Sequence, residues 1–351
     1  MKNTLKTFNY PYPKKSLLFA PMEGITDATY RLAVMKLFPE WQLFATDFLR
    51  IPTEGHLTKD RIINHFGADI YHNEKLKNKT ILQILTTSRA NTSQAIELIN
   101  QLKFPHLDLN LGCPSRKVNG HGGGSFLLQD LKSLEKILTS IRNNFNNIFT
   151  VKIRTGYKDD NQFKEILLLI EELGIDAVTI HGRTRDQFYK GTANWDYFNI
   201  ASETIKIPII ANGDIWTLND IDRVFKESNC HAIMCARSAM KTPWLANLYA
   251  LHKSGFNVNN PQLQLNLRKR FLKQYFAQLE KYYKKQSLPN EKILKKFKAL
   301  VRYVFEDFQY IGEATKKVHL RSKSLEHFND LLKSNYSKLN QDFLLANSSP
   351  Q

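Results

Sequence analysis

Short apolar runs recur along the first 240 residues, and stretches with helical spacing separate most of them. The predicted strands are LLFAP (17–21), LFATDF (43–48), TILQIL (80–85), LDLNL (107–111), TVKIR (150–154), AVTIH (177–181), IPIIANG (207–213) and AIMCA (232–236). QFKEILLLIEEL and TLNDIDRVFKES are two of the intervening helical stretches. Strands that alternate with helices imply parallel pairing through right-handed crossovers. Eight such strands favour a closed (β/α)₈ TIM barrel.

After about residue 255 the pattern changes to long helical stretches, and FNVNNPQ marks the joint. We therefore predict an α/β barrel domain over residues 1–255 and an all-α helical-bundle domain over residues 256–351. From residue 292 a rotation of about 100° per residue separates a cationic face from an apolar one. The cationic face holds Lys292, Lys295, Lys296 and Arg302, with Lys298 at its border. The apolar face holds Ile293, Leu294, Phe297, Leu300, Val301, Val304 and Phe305.

Polar residues stand at the ends of several predicted strands, namely Asn110, Lys152, Arg154, His181 and Asn212. The C-terminal strand ends of a TIM barrel converge on one rim, so these side chains would form one site. An open doubly wound sheet would spread them along a crevice. The stretch NGHGGG does not match the G-x-G-x-x-G spacing, and a Rossmann dinucleotide site is therefore not indicated.

Cys113 follows a predicted strand and precedes Pro114 and a glycine-rich stretch. An isolated cysteine is usually a small buried hydrophobe. A loop position instead favours a presented thiol, which can be a nucleophile if its pKa is depressed or a general acid if it stays protonated. Lys152 can be a Schiff-base amine or a cation that faces an anion. His181 can be a ligand or a core histidine.

The ends of the seventh and eighth strands commonly form a phosphate site in TIM barrels. Backbone amides of residues 212–214 and 236–238, with the guanidinium of Arg237, are the candidates here. One cysteine and one histidine near a lysine are poor zinc ligands, so no metal site is expected.

Charge is the unusual feature of the composition, with 50 Lys and Arg against 33 Asp and Glu. Residues 251–351 contain 19 basic and 8 acidic residues, a net of +11, whereas the first 250 residues contribute +6. A basic surplus concentrated in one segment is typical of polyanion binding, and a solubilising face is the alternative. The sequence has no long apolar run and only three cysteines, so we expect a cytoplasmic protein without membrane attachment.

Seven motifs in order resemble the tRNA-dihydrouridine synthase family across nearly the whole chain. They are APMEGITD, LQIL, LDLNLGCPSRKVNGHGGG, TVKIRTGY, VTIHGRTRDQ, IPIIANGDI and CARSAM. PMEG, NGDIW and TDFLR lean toward the bacterial branch that modifies the D-loop near position 16. The resemblance implies a flavin-binding barrel followed by a helical domain that grips tRNA.

The resemblance also implies roles for individual residues. Those expected to bind FMN are Pro21, Met22, Glu23, Gln83, Lys152, His181, Asn212, Gly213, Asp214, Ala236 and Arg237. Those expected to contact tRNA are Arg50, Asn110, Tyr189, Lys296, Lys298 and Tyr303. Two positions depart from the family pattern: Ala236 replaces a usual glycine, and KKFK replaces a usual AR.K.

In the implied reaction NADPH reduces FMN, the flavin passes a hydride to C6 of uracil, and Cys113 protonates C5. A thiol with an ordinary pKa near about 8.5 is mostly protonated at neutral pH, which suits an acid. The uridine has to leave the RNA stack to reach it. We expect a monomer. The alternatives are a barrel flavoenzyme acting on a small pyrimidine and an RNA-binding protein on an inactive barrel.

Overall fold

The computed structural model describes residues 10–258, 260–306 and 311–334. The start of the N-terminal extension and the end of the predicted helical domain lie outside the described residues. The strands are β1 (Ser16–Phe19), β2 (Leu43–Ala45), β3 (Leu49–Arg50), β4 (Thr80–Leu85), β5 (His106–Leu111), β6 (Ile148–Arg154), β7 (Ala177–His181), β8 (Ile209–Asn212) and β9 (Ala232–Cys235).

Helices follow or separate these strands. They are α1 (Ala28–Leu37), α2 (Lys59–Phe66), α3 (Ala68–Tyr71), α4 (Glu74–Lys77), α5 (Thr92–Gln101), α6 (Arg116–Gly120), α7 (Leu131–Asn144), α8 (Phe163–Glu172), α9 (Asp196–Thr204), α10 (Leu218–Glu227), α11 (Arg237–Lys241), α12 (Leu245–Lys253), α13 (Pro261–Lys285), α14 (Asn290–Val304) and α15 (Ile311–Leu320). A 3₁₀ helix covers Gly124–Gln129, and residues 325–334 are also helical.

Eight parallel strands close into a barrel. β1 pairs with β2 and β9, β2 pairs with β4, and the strands from β4 to β9 pair in sequence order. The two-residue strand β3 pairs with the last two residues of β4 and is not one of the eight strands of the barrel. The predicted (β/α)₈ fold is therefore confirmed, and each predicted run overlaps one strand of the ring.

The barrel interior has an apolar side and a polar side. The apolar cluster lies mainly on β1, β2, β8 and β9 and includes Leu18, Leu43, Ile210 and Met234. The polar side lies on β4, β5 and β6. Its buried side chains are Gln83, His106, Asp108, Asn110 and Thr150.

Two tyrosines pack at the N-terminal end of the barrel, where β5 and β9 begin. The ring of Tyr12 stacks on His106 with centroids 5.8 Å apart, and the ring of Tyr10 meets His231 edge-on at 5.2 Å. Tyr10 is buried and belongs to the apolar interior cluster. The described part of the N-terminal extension therefore seals this end of the barrel.

The chain divides into two compact units. The barrel unit contains the described residues up to Ala28 and Trp41–Ala236, and the helical unit contains Thr29–Glu40 and the described residues from Arg237 onward. The contacts thus divide the chain before the predicted boundary at residue 255, because α11 packs against α14 of the helical unit. The predicted domain limits of 1–255 and 256–351 remain predictions.

The helical unit packs around aromatic side chains. Phe276, Phe297 and Phe328 contact one another with centroids 5.0–5.3 Å apart. All seven apolar residues predicted for the face of α14 and its C-terminal cap are buried, while Lys292, Lys295 and Arg302 are exposed. The predicted amphipathic helix is confirmed. Among the described residues, no helix has both the length and the apolar character required to cross a bilayer.

Candidate active site

The C-terminal rim of the barrel brings β6, β8 and β9 together through polar side chains. The Nζ atom of Lys152 donates to Oδ1 of Asn212 at 2.8 Å, and Nδ2 of Asn212 donates to the carbonyl oxygen of Met234 at 2.8 Å. Lys152 lies two residues before Arg154 on β6, so both side chains point to the same face of the strand. The convergence predicted from the strand ends is present.

Cys113 lies just beyond the end of β5 and is held through its backbone. Oδ1 of Asn110 accepts from the backbone N–H groups of Gly112 and Cys113 at 3.1 and 2.9 Å. The carbonyl oxygen of Cys113 accepts from Nδ2 of Asn119 at 3.0 Å and from Oγ of Ser125 at 2.8 Å. These contacts fix the direction in which the thiol leaves the main chain.

The glycine-rich stretch after Cys113 is not the open loop that the sequence suggested. It folds into α6 and the 3₁₀ helix. Gly124 has φ +62°, and a Cβ on it would lie 3.0 Å from the carbonyl oxygen of Cys113. Gly123 would bring a Cβ within 2.9 Å of the carbonyl oxygen of Thr86. Gly124 therefore permits close packing against Cys113, and Gly123 permits close packing against the residues that follow β4.

The Cys113 side chain is half-buried, and burial raises the pKa of its thiol. The negative charge of Glu23 adds to this rise in pKa, whereas Arg154 and Arg50 act against it. The group remains a thiol at neutral pH, which favours the general-acid interpretation over the nucleophilic one.

Lys152 has an unusually low affinity for its proton. Burial and the nearby Arg154 guanidinium lower the pKa of Lys152 to about 8, while Asp108 and Cys113 act in the opposite direction. The ammonium group is thus charged at neutral pH and loses its proton in mildly alkaline solution. Such a lysine is suited to stabilising negative charge on a bound ligand.

Arg154 links two loops of the rim, a role that sequence reasoning missed. Its Nε atom donates to the carbonyl oxygen of Gly112 at 2.9 Å, and one terminal nitrogen donates to the carbonyl oxygens of Thr184 and Phe188 at 2.8 Å. Only 2% of Arg154 is exposed, although its guanidinium lies 5.5 Å from the ring of Tyr189. The signal available in the sequence was a charged residue on a predicted barrel strand, with no partner close to it in the sequence.

A second arginine joins the β7–α9 loop to the Cys113 segment. Nε of Arg185 donates to Oδ1 of Asn119 at 2.9 Å, and the guanidinium lies 4.9 Å from the ring of Tyr157 and 5.1 Å from that of Phe188. Phe188 adopts φ +50°, a strained conformation for a residue with a side chain. The loop that presents Tyr189 is therefore anchored on both sides.

The residues of the barrel unit that are predicted to bind FMN lie at or near the C-terminal rim, and they differ in how deeply they are buried. Pro21, Met22 and Glu23 form a turn after β1, in which the carbonyl oxygen of Met22 accepts from the N–H groups of Ile25 and Thr26. Ala236 packs beside the apolar interior cluster. Gln83 is fully buried, and its amide bonds to Asp108 and Asn110. Their contacts with FMN remain predictions.

The residues after β8 pack closely against β7 and the loop that follows it. Gly213 has φ +116°, and a Cβ there would lie 3.4 Å from Nε2 of His181. Asp214 accepts from Arg183 and from the backbone N–H of Ala193. The Lys152 cation beside Asn212 supplies the positive charge that an anionic flavin would require.

The predicted tRNA-contacting residues occupy both units. Arg50 ends β3, and the side chain of Tyr189 is 56% exposed. Asn110 is buried, and its two polar atoms bond to Gln83 and to the Cys113 segment. In the helical unit, Lys296, Lys298 and Tyr303 are partly exposed on α14. Arg237, which was predicted to bind FMN, begins α11 of the same unit. The roles of these residues remain predictions.

Replacement of Gly213 by alanine should lower stability and flavin retention together. The added Cβ would lie 2.9 Å from Cβ of Ala193 at a backbone angle that side chains rarely adopt. We expect a cost of about 1–3 kcal/mol. Thermal unfolding and the ratio of flavin to protein absorbance measure the two effects. Gly191→Ala is the matched control, because Gly191 has φ +64° and a Cβ added there would meet nothing within 4 Å. Equal losses in the two variants would contradict the steric argument.

Comparison with known proteins assigns this site to a family. The model of the dihydrouridine synthase (Dus) family matches residues 18–335. This match spans the barrel and most of the helical unit. The chain belongs to the dihydrouridine synthase family.

Curated relatives of the dihydrouridine synthase agree with this assignment. The chain is 33% identical over 235 residues to tRNA-dihydrouridine synthase B of Pasteurella multocida, covering 66% of this chain and 68% of the relative. It is 29% identical over 288 residues to the tRNA-dihydrouridine(16) synthase of Shewanella oneidensis, covering 76% and 89%. The family and the enzyme class predicted from the sequence are confirmed.

Solved structures support the fold of this dihydrouridine synthase. A variant of NCR from Zymomonas mobilis has a TM-score of 0.50 at 12% identity and covers 68% of this chain and 87% of that one. A 2-naphthoyl-CoA reductase complex also has a TM-score of 0.50, at 10% identity, covering 69% and 50%.

Proposed function

We propose that this protein reduces a uridine in the D-loop of tRNA to 5,6-dihydrouridine with FMN and NADPH. The observation that carries the proposal is the half-buried Cys113 thiol on the rim of the barrel, just beyond the point where Asn110 of β5 pairs with Lys152 of β6, with burial raising the pKa of the thiol. Family membership and relatives named as tRNA-dihydrouridine synthases support the reaction and the substrate.

FMN, when bound and reduced by NADPH, supplies the hydride for C6 of uracil. Lys152, His181 and residues 212–214 would hold it at the rim, with the Lys152 cation balancing negative charge on the flavin. Pro21, Met22 and Glu23, which are predicted to bind FMN, would contact it from the turn after β1. The raised pKa of Cys113 keeps a proton available for C5 of the same ring.

The tRNA would be bound by basic and aromatic surfaces of both units. Tyr189 presents an exposed ring for stacking, and the cationic side of α14 offers lysines to phosphates. The net charge of +11 over residues 251–351 fits such a partner. We further propose position 16 as the modified nucleotide, a cytoplasmic location and a monomeric state.

A direct test uses purified protein, NADPH and an unmodified tRNA transcript. We expect co-purified FMN, oxidation of NADPH that depends on tRNA, and a product nucleoside heavier by two hydrogens in mass spectrometry. Mapping that nucleoside to its position tests the assignment to position 16. A protein that carries flavin but reduces free uracil or uridine rather than tRNA would support the small-pyrimidine alternative instead.

Charge reversal on α14 should weaken tRNA binding without loss of flavin. Lys296→Glu with Lys298→Glu removes two positive charges and adds two negative ones, so the affinity and its dependence on salt should both fall. The control is the double variant Lys132→Glu, Lys136→Glu, which makes the same change of charge on α7 of the barrel unit. Titration of labelled tRNA at several salt concentrations measures the effect. Equal losses in both double variants would reject a specific role for α14.

A further inference from the structure

A line of hydrogen bonds runs up from the N-terminal end of the barrel to Asp108. The hydroxyl of Tyr12 lies 3.4 Å from Nδ1 of His106, and Nε2 of His106 lies 3.0 Å from Oγ1 of Thr150. Oγ1 of Thr150 donates to Oδ1 of Asp108 at 2.7 Å. Burial lowers the pKa of His106 to about 3, so the imidazole is neutral and has one donor and one acceptor nitrogen. We name Tyr12, His106 and Thr150 the lower arm.

A second line runs down from the Cys113 segment to the same carboxyl group. The backbone N–H of Cys113 donates to Oδ1 of Asn110 at 2.9 Å. Nδ2 of Asn110 donates to Oε1 of Gln83 at 2.9 Å, and Nε2 of Gln83 donates to Oδ2 of Asp108 at 2.8 Å. We name Asn110 and Gln83 the upper arm.

We propose that Asp108 is a positioning residue for Cys113, because it is the acceptor on which both lines of donors end. The proposal deepens the proposed function, since it rests on Cys113 as the proton donor to uracil. Each amide of the upper arm has one possible orientation once Asp108 accepts from Gln83. That orientation places Oδ1 of Asn110 under the N–H of Cys113.

The two arms respond differently to a change at Asp108. A backbone N–H is only a donor, so the upper arm cannot reverse its direction. Hydroxyls and a neutral imidazole both donate and accept, so the lower arm can reverse if His106 changes its tautomer. The upper arm therefore needs an acceptor at residue 108, whereas the lower arm tolerates a donor there.

The surroundings of Asp108 agree with an acceptor that is costly to remove. Only 2% of the residue is exposed, and burial raises the pKa of its carboxyl to about 6. The positive charge of Lys152 on β6 lowers the pKa of the Asp108 carboxyl. In the N-terminal segment, burial and, to a smaller extent, the negative charge of Asp108 raise the pKa of the Tyr10 hydroxyl. An apolar residue at this position would leave the amide of Gln83 without its acceptor inside the barrel.

Three variants of the full-length protein separate the possibilities. Asp108→Leu removes the acceptor. Asp108→Asn keeps an oxygen for Gln83 and gives an N–H₂ group to the lower arm. Thr150→Val cuts the lower arm alone. Gln83→Met, which breaks the upper arm at its middle, replaces Asp108→Leu as the probe if that variant does not fold.

The main measurement is amide hydrogen exchange at Gly112 and Cys113, read by mass spectrometry with fragmentation to single residues. We expect exchange about tenfold faster in Asp108→Leu and in Gln83→Met, because the acceptor of these N–H groups is no longer held. Asp108→Asn and Thr150→Val should keep parental exchange there, even if the melting temperature falls. The amide of Ser125, which bonds to the carbonyl oxygen of Cys113, serves as a local reference.

Turnover per bound flavin is the second measurement. It should be at least tenfold lower in Asp108→Leu than in Asp108→Asn, because both variants lose the carboxylate that supports the charge of Lys152 but only Asp108→Leu lacks an acceptor for Gln83. Thr150→Val should stay near the parental value. Parental exchange at residues 112 and 113 in both Asp108→Leu and Gln83→Met would overturn the proposal, as would faster exchange in Thr150→Val. Faster exchange with unchanged turnover would retain the positioning of Cys113 and reject its role as the acid, so the two proposals fail separately.

Discussion

Cys113→Ala should retain bound FMN and tRNA affinity but reduce uridine about 10²–10⁴-fold more slowly, the contribution typical of a positioned acid. The substitution removes the thiol and leaves the backbone contacts of residue 113 with Asn110 and Ser125 in place. Single-turnover reduction of an unmodified tRNA transcript by pre-reduced protein measures this step without the NADPH reaction.

A second cysteine provides the matched control for this prediction. Cys230 is buried, and burial raises the pKa of its thiol to about 11. It precedes β9 at the N-terminal end of the barrel, opposite the rim. Cys230→Ala should therefore keep the parental rate apart from any loss of folded protein. Turnover of Cys113→Ala near that of Cys230→Ala would exclude the thiol as the proton source.

Turnover should decline as the pH rises through about 8, because Lys152 loses its proton there. The pKa of this lysine is lowered by burial, so its charge is present below about pH 8 and absent above it. Loss of one stabilising group of this kind costs about 10²–10³ in rate. The raised pKa of the Cys113 thiol places its own ionisation further into the alkaline range.

Two substitutions at residue 152 assign this pH dependence. Lys152→Met should be slow at every pH and should lack the decline near pH 8, because it has no cation to lose. Lys152→Arg keeps a charge that does not titrate in this range and should also lack the decline. The measurement is single-turnover rate against pH on flavin-saturated protein, with flavin content checked at each point. A decline near pH 8 that persists in Lys152→Met would show that another group titrates.

The sequence predicted the barrel well because its strands are buried on both faces and read as continuous apolar runs. It missed β3, since two residues directly after LFATDF give no separate periodic signal. The rim was predicted from polar residues at strand ends. The partners of Asp108 were not, because Gln83 and Thr150 are 25 and 42 residues away and meet it only through the register of three strands.

Nor did the sequence indicate that α1 belongs to the helical unit, and the reason is physical. Residues 30–35 of α1 are all buried, so this helix lacks the one-sided pattern of a barrel helix. The ring of Phe38, directly after α1, packs against Phe271, and the hydroxyl of Tyr30 accepts from Tyr275 at 2.9 Å within the helical unit. A helix buried on all sides does not show from its sequence which neighbours cover it.

The membership of α1 in the helical unit imposes an order on biosynthesis. Tyr30 and Tyr275 are 245 positions apart, so a ribosome adding about 5–20 residues per second exposes the first for roughly 12–50 s before its partner is made. During that interval the nascent chain presents an apolar helix that the barrel alone does not enclose. Packing of α1 should hence await the synthesis of α13 rather than completion of the barrel.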